Sequence, residues 1–241
     1  MKTEKAMSST TYAEMDATGL PAPRLAVSVV LMRDSVHGVE VFVQRRALTM
    51  DFAAGVVAFP GGRVDAVDSL PSGLSRTLLD SQARAWSRTS VGTEASFARQ
   101  TTARLLAAAV REVAEECDVV LQPTALVPWA NWITPEGFPK RFDTFFFVTA
   151  VAPKLEPRHV TTEATSSEWI SVRRLLQDEA AGRLKLLPPT LAILDELVEA
   201  HTTEEVLSVK RPIDSVCLQL DEIQAFHRRR QQMTKDTKEQ P

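Results

Sequence analysis

The 241-residue chain predicts an α/β fold on three observations. Short β-branched and apolar runs alternate with helical stretches along its length. One stretch, 97–117, carries apolar residues at helical spacing for about six turns. Proline and glycine clusters separate these segments at Pro60-Gly61-Gly62, Gly182 and Pro188-Pro189.

Residues 1–23 lack hydrophobic periodicity and read as a mobile tail. The runs 24–32 and 39–44 read as strands joined by Asp34-Ser35-Val36-His37-Gly38, a hairpin. A third strand, 54–59, leads into the Pro-Gly-Gly loop. The Ser-, Arg- and Thr-rich segment 69–96 contains a short helix near 78–88. The long helix 97–117 follows, with Thr93 and Ser96 as candidate caps. Strands are then expected near 119–121, 125–132 and 144–150. Glu168-Trp169-Ile170-Ser171 leads into a helix ending near Gly182, a residue suited to a helix terminus. Two further helices, 190–200 and 203–210, come after Pro188-Pro189, the second opened by Thr202 with Glu205 in capping-box spacing. Residues 231–241 are polar and read as disordered. The expected organisation is one domain over 24–230, decorated by an insertion at 69–96 and a helical extension at 188–230. No internal repeat is visible.

Composition narrows the class. The chain is 44% hydrophobic, enough for a substantial core. A formal net charge of −3 gives no reason to expect a nucleic-acid partner. The first eighteen residues lack the apolar core of a signal peptide, and no run approaches a membrane span, so a cytoplasmic protein without membrane contact is expected. A homodimer is compatible with these features. Cys117 and Cys217 are the only cysteines, too few for a disulfide scaffold or a cysteine-based zinc site. Cys117 reads as a small core residue rather than a nucleophile.

The chemistry concentrates at Arg111-Glu112-Val113-Ala114-Glu115-Glu116. In a helix Glu112, Glu115 and Glu116 stand at i, i+3 and i+4, so three carboxylates share one face. At about 6 Å and an effective dielectric near 20, each like-charged pair repels by roughly 3 kcal/mol. A divalent cation would reverse that sign. A lone stripe of this kind could be a solvated acidic face. Here the other sides of the helix are apolar through Leu105, Leu106, Ala109, Val110 and Val113. Upstream, Phe59-Pro60-Gly61-Gly62-Arg63-Val64-Asp65 forms a loop whose glycines let backbone carbonyls approach a cation closely.

These residues resemble the Nudix hydrolase box, G-x5-E-x7-R-E-U-x-E-E-x-G-U with U aliphatic. The chain has Gly62-x5-Asp68, a long insertion, then R-E-V-A-E-E-C-D-V over 111–119. Asp68 stands where the box has its first Glu, and Asp118 where it has its closing Gly. The insertion, together with 57–65, Trp132-Ile133-Thr134-Pro135, Arg141-Phe142-Asp143-Thr144 and Leu187-Pro188-Pro189-Thr190, resembles the motif-19 branch, whose animal members are peroxisomal coenzyme A diphosphatases.

The resemblance implies an α/β/α sandwich with a mixed sheet and a hydrolase of diphosphate linkages that uses Mg²⁺ or Mn²⁺. By the same resemblance Glu115 and Glu116 are the main metal ligands, and the Gly61 carbonyl is a further one. Glu112 is a ligand or base, Arg111 orients the glutamates, and Glu163 is an acid that helps the metals or the water, or else an ordinary loop acid. Arg45, Arg46, Arg63, Lys140 and Arg141 are candidate phosphate binders. Trp129, Trp132 and Phe138 either pack in the core or stack on an adenine. The implied substrate is a small nucleotide, with coenzyme A or acyl-CoA leading. The alternatives are a dinucleotide or nucleotide-sugar diphosphatase, or a non-catalytic Nudix-fold sensor. The insertion, with Leu78, Leu79 and Trp86 at helical spacing, is expected to emerge near the site mouth as a short packed helix that covers one side of the site and shapes substrate choice.

Overall fold

The computed structural model describes residues 22–49, 53–69, 74–219 and 221–223. The expected tail 231–241, nearly all of 1–23 and the end of the 188–230 extension lie outside the described residues. Strands β1 (Arg24–Ser35) and β2 (Gly38–Arg46) form the expected hairpin, paired from Met32↔Val41 to Ser35↔Gly38. Beyond that register the two strands part. The chain fills the gap with β3 (Val57–Ala58), antiparallel to β2, and β4 (Gly61–Arg63), antiparallel to β1. The glycine loop is thereby built into the sheet. The long strand expected at 54–59 shrinks to two residues, because Ala53 and Gly55 take positive φ values of 53° and 71° and turn the chain.

On the other side β1 runs parallel to β6 (Phe142–Ala150), which pairs antiparallel with β5 (Val127–Ile133). β7 (Ala164–Ser171) pairs antiparallel with β2. β8 (Ser215–Val216) joins β5 in parallel, so the extension expected to be helical also closes one edge of the sheet. The main path of this mixed sheet is β3-β2-β1-β6-β5-β8.

Strand alternation sends side chains to two cores. Val27, Val29 and Leu31 of β1, with Phe145 and Phe147 of β6, pack against α1 (Arg76–Ala85) and α2 (Ala95–Cys117). Val30, Met32, Phe146 and Val148 pack against α3 (Val172–Ala180), α4 (Pro188–Leu197) and α5 (Thr203–Ser208). The result is the α/β/α sandwich.

Several local expectations change. α2 is capped by Glu94, not Thr93 or Ser96: its carboxylate accepts from the N–H groups of Ser96 and Phe97 at 3.0 and 2.7 Å. A negative side chain there also complements the helix dipole. No strand forms at 119–121, because Pro123 opens a 3-10 turn (Pro123–Ala125) directly after an unpaired stretch. Thr202 does cap α5, accepting from Glu205 N at 3.2 Å, while the Glu205 carboxylate accepts from His201 N at 2.8 Å, one residue before the cap.

Asp118 ends α2 in the left-handed region, φ 57° and ψ 35°, as its place opposite the box Gly implies. Among the described residues its carboxylate meets only the exposed Arg158, at 3.2 Å. We therefore expect Asp118→Gly to be neutral or to stabilise by up to about 1 kcal/mol. A clear fall in melting temperature would show that the Asp118 side chain has a task beyond this turn.

Candidate active site

The site forms where the C-terminal half of α2 lies over β4. Gly61 and Ser28 face each other in a non-hydrogen-bonded position of the β1–β4 ladder, since the flanking bonds are Val29 N–H to Pro60 O and Val64 N–H to Leu25 O. The N–H and C=O of Gly61 consequently point away from β1. The N–H donates to Glu116 Oε2 at 2.9 Å. Neither glycine can be replaced without disturbance. Gly61 has φ 151°, and a Cβ there would overlap the Val27 carbonyl; a Cβ on Gly62 would overlap the Glu112 carboxylate.

Arg111 is clamped. Its Nε and Nη2 donate to Asp68 Oδ1 and Oδ2 at 2.8 and 3.0 Å, Nη2 also to Arg63 O at 3.0 Å, and Nη1 to Glu112 Oε1 at 2.9 Å and Glu115 Oε2 at 3.2 Å. These contacts account for all the N–H groups a guanidinium possesses. In this arrangement Arg111 has no donor left over, and two of its bonds go to the Glu112 and Glu115 carboxylates. Asp68 is the member of this clamp that sequence reasoning missed. The signal was there in an acid at a box position together with the box Arg. Burial opposes its charge, but the hydrogen bonds from Arg111 prevail and hold the Asp68 carboxyl below its usual range.

Electrostatics gather four acids. Burial pushes Glu112 up, with Arg111 opposing and the charges of Glu115 and Glu163 adding to the rise. Burial likewise pushes Glu116 up to about 7, against the Gly61 N–H and Arg46 and with Glu112 and Glu163 reinforcing. Glu163 thus stands within electrostatic reach of two box carboxylates. It is led there by the preceding loop, whose Arg158 and Val160 N–H groups satisfy the Cys117 and Glu116 carbonyls at the end of α2, and its own carbonyl accepts from Ala47 N at 2.8 Å.

As the side chains stand, Arg111 draws Glu112 and Glu115 aside and Gly61 draws Glu116. Among the described residues no three His, Cys, Asp or Glu groups converge as a ligand set. The donor chemistry nevertheless fits a hard divalent cation. The buried Glu116 and half-buried Glu112 carboxylates repel each other beside a backbone carbonyl turned the same way. No soft ligand competes, because the Cys117 thiol is buried, accepts from Gln44 Nε2 at 3.3 Å, and is pushed up to about 12 by burial.

Other candidates fall elsewhere. Arg141 is buried and donates to the Thr134 carbonyl at 3.1 Å, so it serves the interior. Asp143 accepts from Asn131 and Ser90. Trp129 is buried, donates to Glu196 at 2.8 Å and lies under the Arg211 guanidinium, which makes it a core residue. Trp132 and Phe138 are half-buried and Lys140 is exposed.

No family model matches the chain. A Caenorhabditis elegans protein whose name places it among nudix hydrolases is 26% identical over 200 residues, covering 79% of this chain. The match spans 66% of that relative's length. The crystal structure of a NUDIX hydrolase from Alicyclobacillus acidocaldarius superposes with a TM-score of 0.59 at 26% identity, covering 79% of this chain and 98% of that one. The fold is Nudix. Both likenesses support a place in the Nudix hydrolase superfamily. Within this Nudix fold, the glycine strand and the C-terminal half of α2 carry the two parts of the box, and the interrupted box is reassembled by the Asp68–Arg111 pair across the insertion.

Proposed function

We propose that this chain is a divalent-metal-dependent hydrolase that cleaves the diphosphate of a nucleoside-diphosphate-linked compound in the cytoplasm, with coenzyme A or an acyl-CoA as the leading substrate. One observation carries the reading. The Glu116 carboxylate is buried against the Gly61 N–H while Glu112 packs on Gly62, so the two halves of the box meet in space. Glu112, Glu115, Glu116 and the Gly61 carbonyl would hold Mg²⁺ or Mn²⁺. The bound ion supplies positive charge against the phosphate oxygens and makes water a better nucleophile near neutral pH. The chain's own contribution is orientation and proton handling. Arg111 fixes Glu112 and Glu115, the Gly61 N–H fixes Glu116, and exposed Glu163, within electrostatic reach of Glu112 and Glu116, would accept a proton from attacking water. The coenzyme A assignment is supported by the resemblance to the motif-19 branch.

The test is a hydrolysis panel of coenzyme A, an acyl-CoA, a dinucleotide and a nucleotide sugar, with products identified by mass. Cleavage at the diphosphate is expected with Mg²⁺ or Mn²⁺ and is expected to stop when a chelator removes the ion. Cleavage that ignores the chelator, or none at all with either ion, would overturn the reading.

A further inference from the structure

We propose that Arg104 is a positioning residue for the metal site, a second fastening between the glycine strand and α2 that the long insertion makes necessary. The inference rests on the metal-dependent reading above. In the box, seven residues join the first acid to the Arg, so the chain itself holds loop and helix together. Here 42 residues separate Asp68 from Arg111, and α2 already begins at Ala95. A connection of that length constrains its ends weakly, so contacts across space must fix the register.

Arg104 and Arg111 stand seven residues apart on α2, two turns along one face and about 10 Å from each other. Both reach for the same short segment. Arg111 takes the Arg63 carbonyl and the Asp68 carboxylate, and between them Arg104 Nη2 donates to the Asp65 carbonyl at 3.2 Å. The segment closes on itself around that carbonyl. Asp68 N–H donates to Asp65 O at 3.1 Å, and Asp65 N–H donates to Asp68 Oδ2 at 2.7 Å. The ladder to β1 ends at Val64, whose N–H donates to Leu25 O at 2.9 Å. Past Val64, the two arginines make every hydrogen bond that ties this turn to the rest of the described residues.

Arg104 is half-buried, and its Nε is buried with no hydrogen-bond partner among the described residues. A freely solvated surface arginine would not bear that cost. Its charge also favours the ionised form of buried Asp68, the partner that Arg111 needs. The contacts run from Arg104 through Asp65 and Asp68 to Arg111, and from there to Glu112 and Glu115. If the turn swings out, Asp68 leaves Arg111, and the freed guanidinium competes with a cation for the glutamates. Arg104 therefore acts at two removes and touches neither metal nor substrate.

The experiment measures Mn²⁺ binding by the full chain and, in the metal-free protein, hydrogen exchange at single amides. Arg104→Met keeps the apolar stem and removes the donors. It is expected to speed exchange at Asp65 and Asp68 by at least about fivefold, to leave the β6 amides as they are, and to weaken Mn²⁺ binding by at least about fivefold. Saturating Mn²⁺ should return kcat to within about twofold of wild type, because the chemistry itself does not involve Arg104. Arg104→Lys, which keeps the charge and a donor, should fall between the two, and it covers the case in which the Met variant does not fold. Arg99→Met breaks the pair with Asp80 on the same helix, away from the turn, and should match wild type in both measurements. Exchange and affinity within about twofold of wild type in Arg104→Met would overturn the inference. So would faster exchange in β6 as well, which would make Arg104 a support of the whole fold, or faster exchange at the turn with unchanged Mn²⁺ affinity. Absence of Mn²⁺ binding by the wild-type chain would overturn it too. Arg104-dependent Mn²⁺ binding without hydrolysis of any compound in the panel would uphold this inference and remove the hydrolase reading.

Discussion

Glu116→Gln is expected to lower turnover by at least about a hundredfold and, at pH 8 without metal, to make the protein more stable. The variant is nearly isosteric, and its amide oxygen can still accept from Gly61 N–H, so the local packing survives. What is lost is one anionic oxygen donor. The stability gain follows from burial. In the folded chain burial raises the Glu116 carboxyl from 4.5 to about 7, with the Glu112 and Glu163 charges adding to the rise. The stability it contributes is fully present below pH 4.5 and is lost as pH rises through 7, a loss of about 3 kcal/mol. The Gln side chain never ionises and does not suffer that loss. Adding Mg²⁺ reverses the comparison, because binding stabilises the wild type far more than the variant. Turnover and thermal melting, each with and without Mg²⁺, test the two halves separately. A folded Glu116→Gln protein with near wild-type turnover would remove Glu116 from the metal site.

The elements that were legible in the sequence were those whose pattern is local and repeated. The β1–β2 hairpin, β6 and the long α2 follow from periodicity, and the left-handed Asp118 from its alignment with a glycine. The misreadings arise where a distant partner decides. Residues 54–59 are apolar enough for a strand, yet two residues with positive φ leave only Val57–Ala58 in register with β2. β8 is two residues long and exists through its pairing with β5. In the site, spacing sufficed to put the glutamates on one face. It could not supply the Asp68–Arg111 clamp, because the insertion hides how close these residues come. Nor could it sort the basic residues. Arg141 and Arg46 look alike as letters, but one is buried on a carbonyl and the other has no partner among the described residues.

The insertion gives the second large effect and corrects an expectation. Leu78, Leu79 and Trp86 at helical spacing suggested a short helix covering the site mouth and choosing substrates. The helix exists, but it sits at the other end of α2. Asp80 pairs with Arg99 at 3.0 Å and Gln82 donates to the Leu126 carbonyl at 2.7 Å. Arg99 lies about 20 Å along the helix from Glu112. Trp86 is fully buried, edge-on to Phe145 and Phe147 with ring centroids 5.1 and 5.4 Å away, inside the core that carries α2. The insertion is therefore part of the core. Trp86→Ala is expected to destabilise the protein by about 3–5 kcal/mol, through lost burial, the cavity left behind and the aromatic contacts. Trp86→Phe should cost much less, since it keeps an aromatic ring and removes an indole N–H that has no hydrogen-bond partner among the described residues. Replacing 70–92 by a Gly-Ser linker should abolish folding rather than reorder substrates. Denaturant unfolding of the three variants, with Michaelis constants measured on those that fold, decides the matter. A linker variant that folds with a changed substrate ranking would restore the lid, and a Trp86→Ala cost below about 1 kcal/mol would show that the insertion is decoration on a core that stands without it.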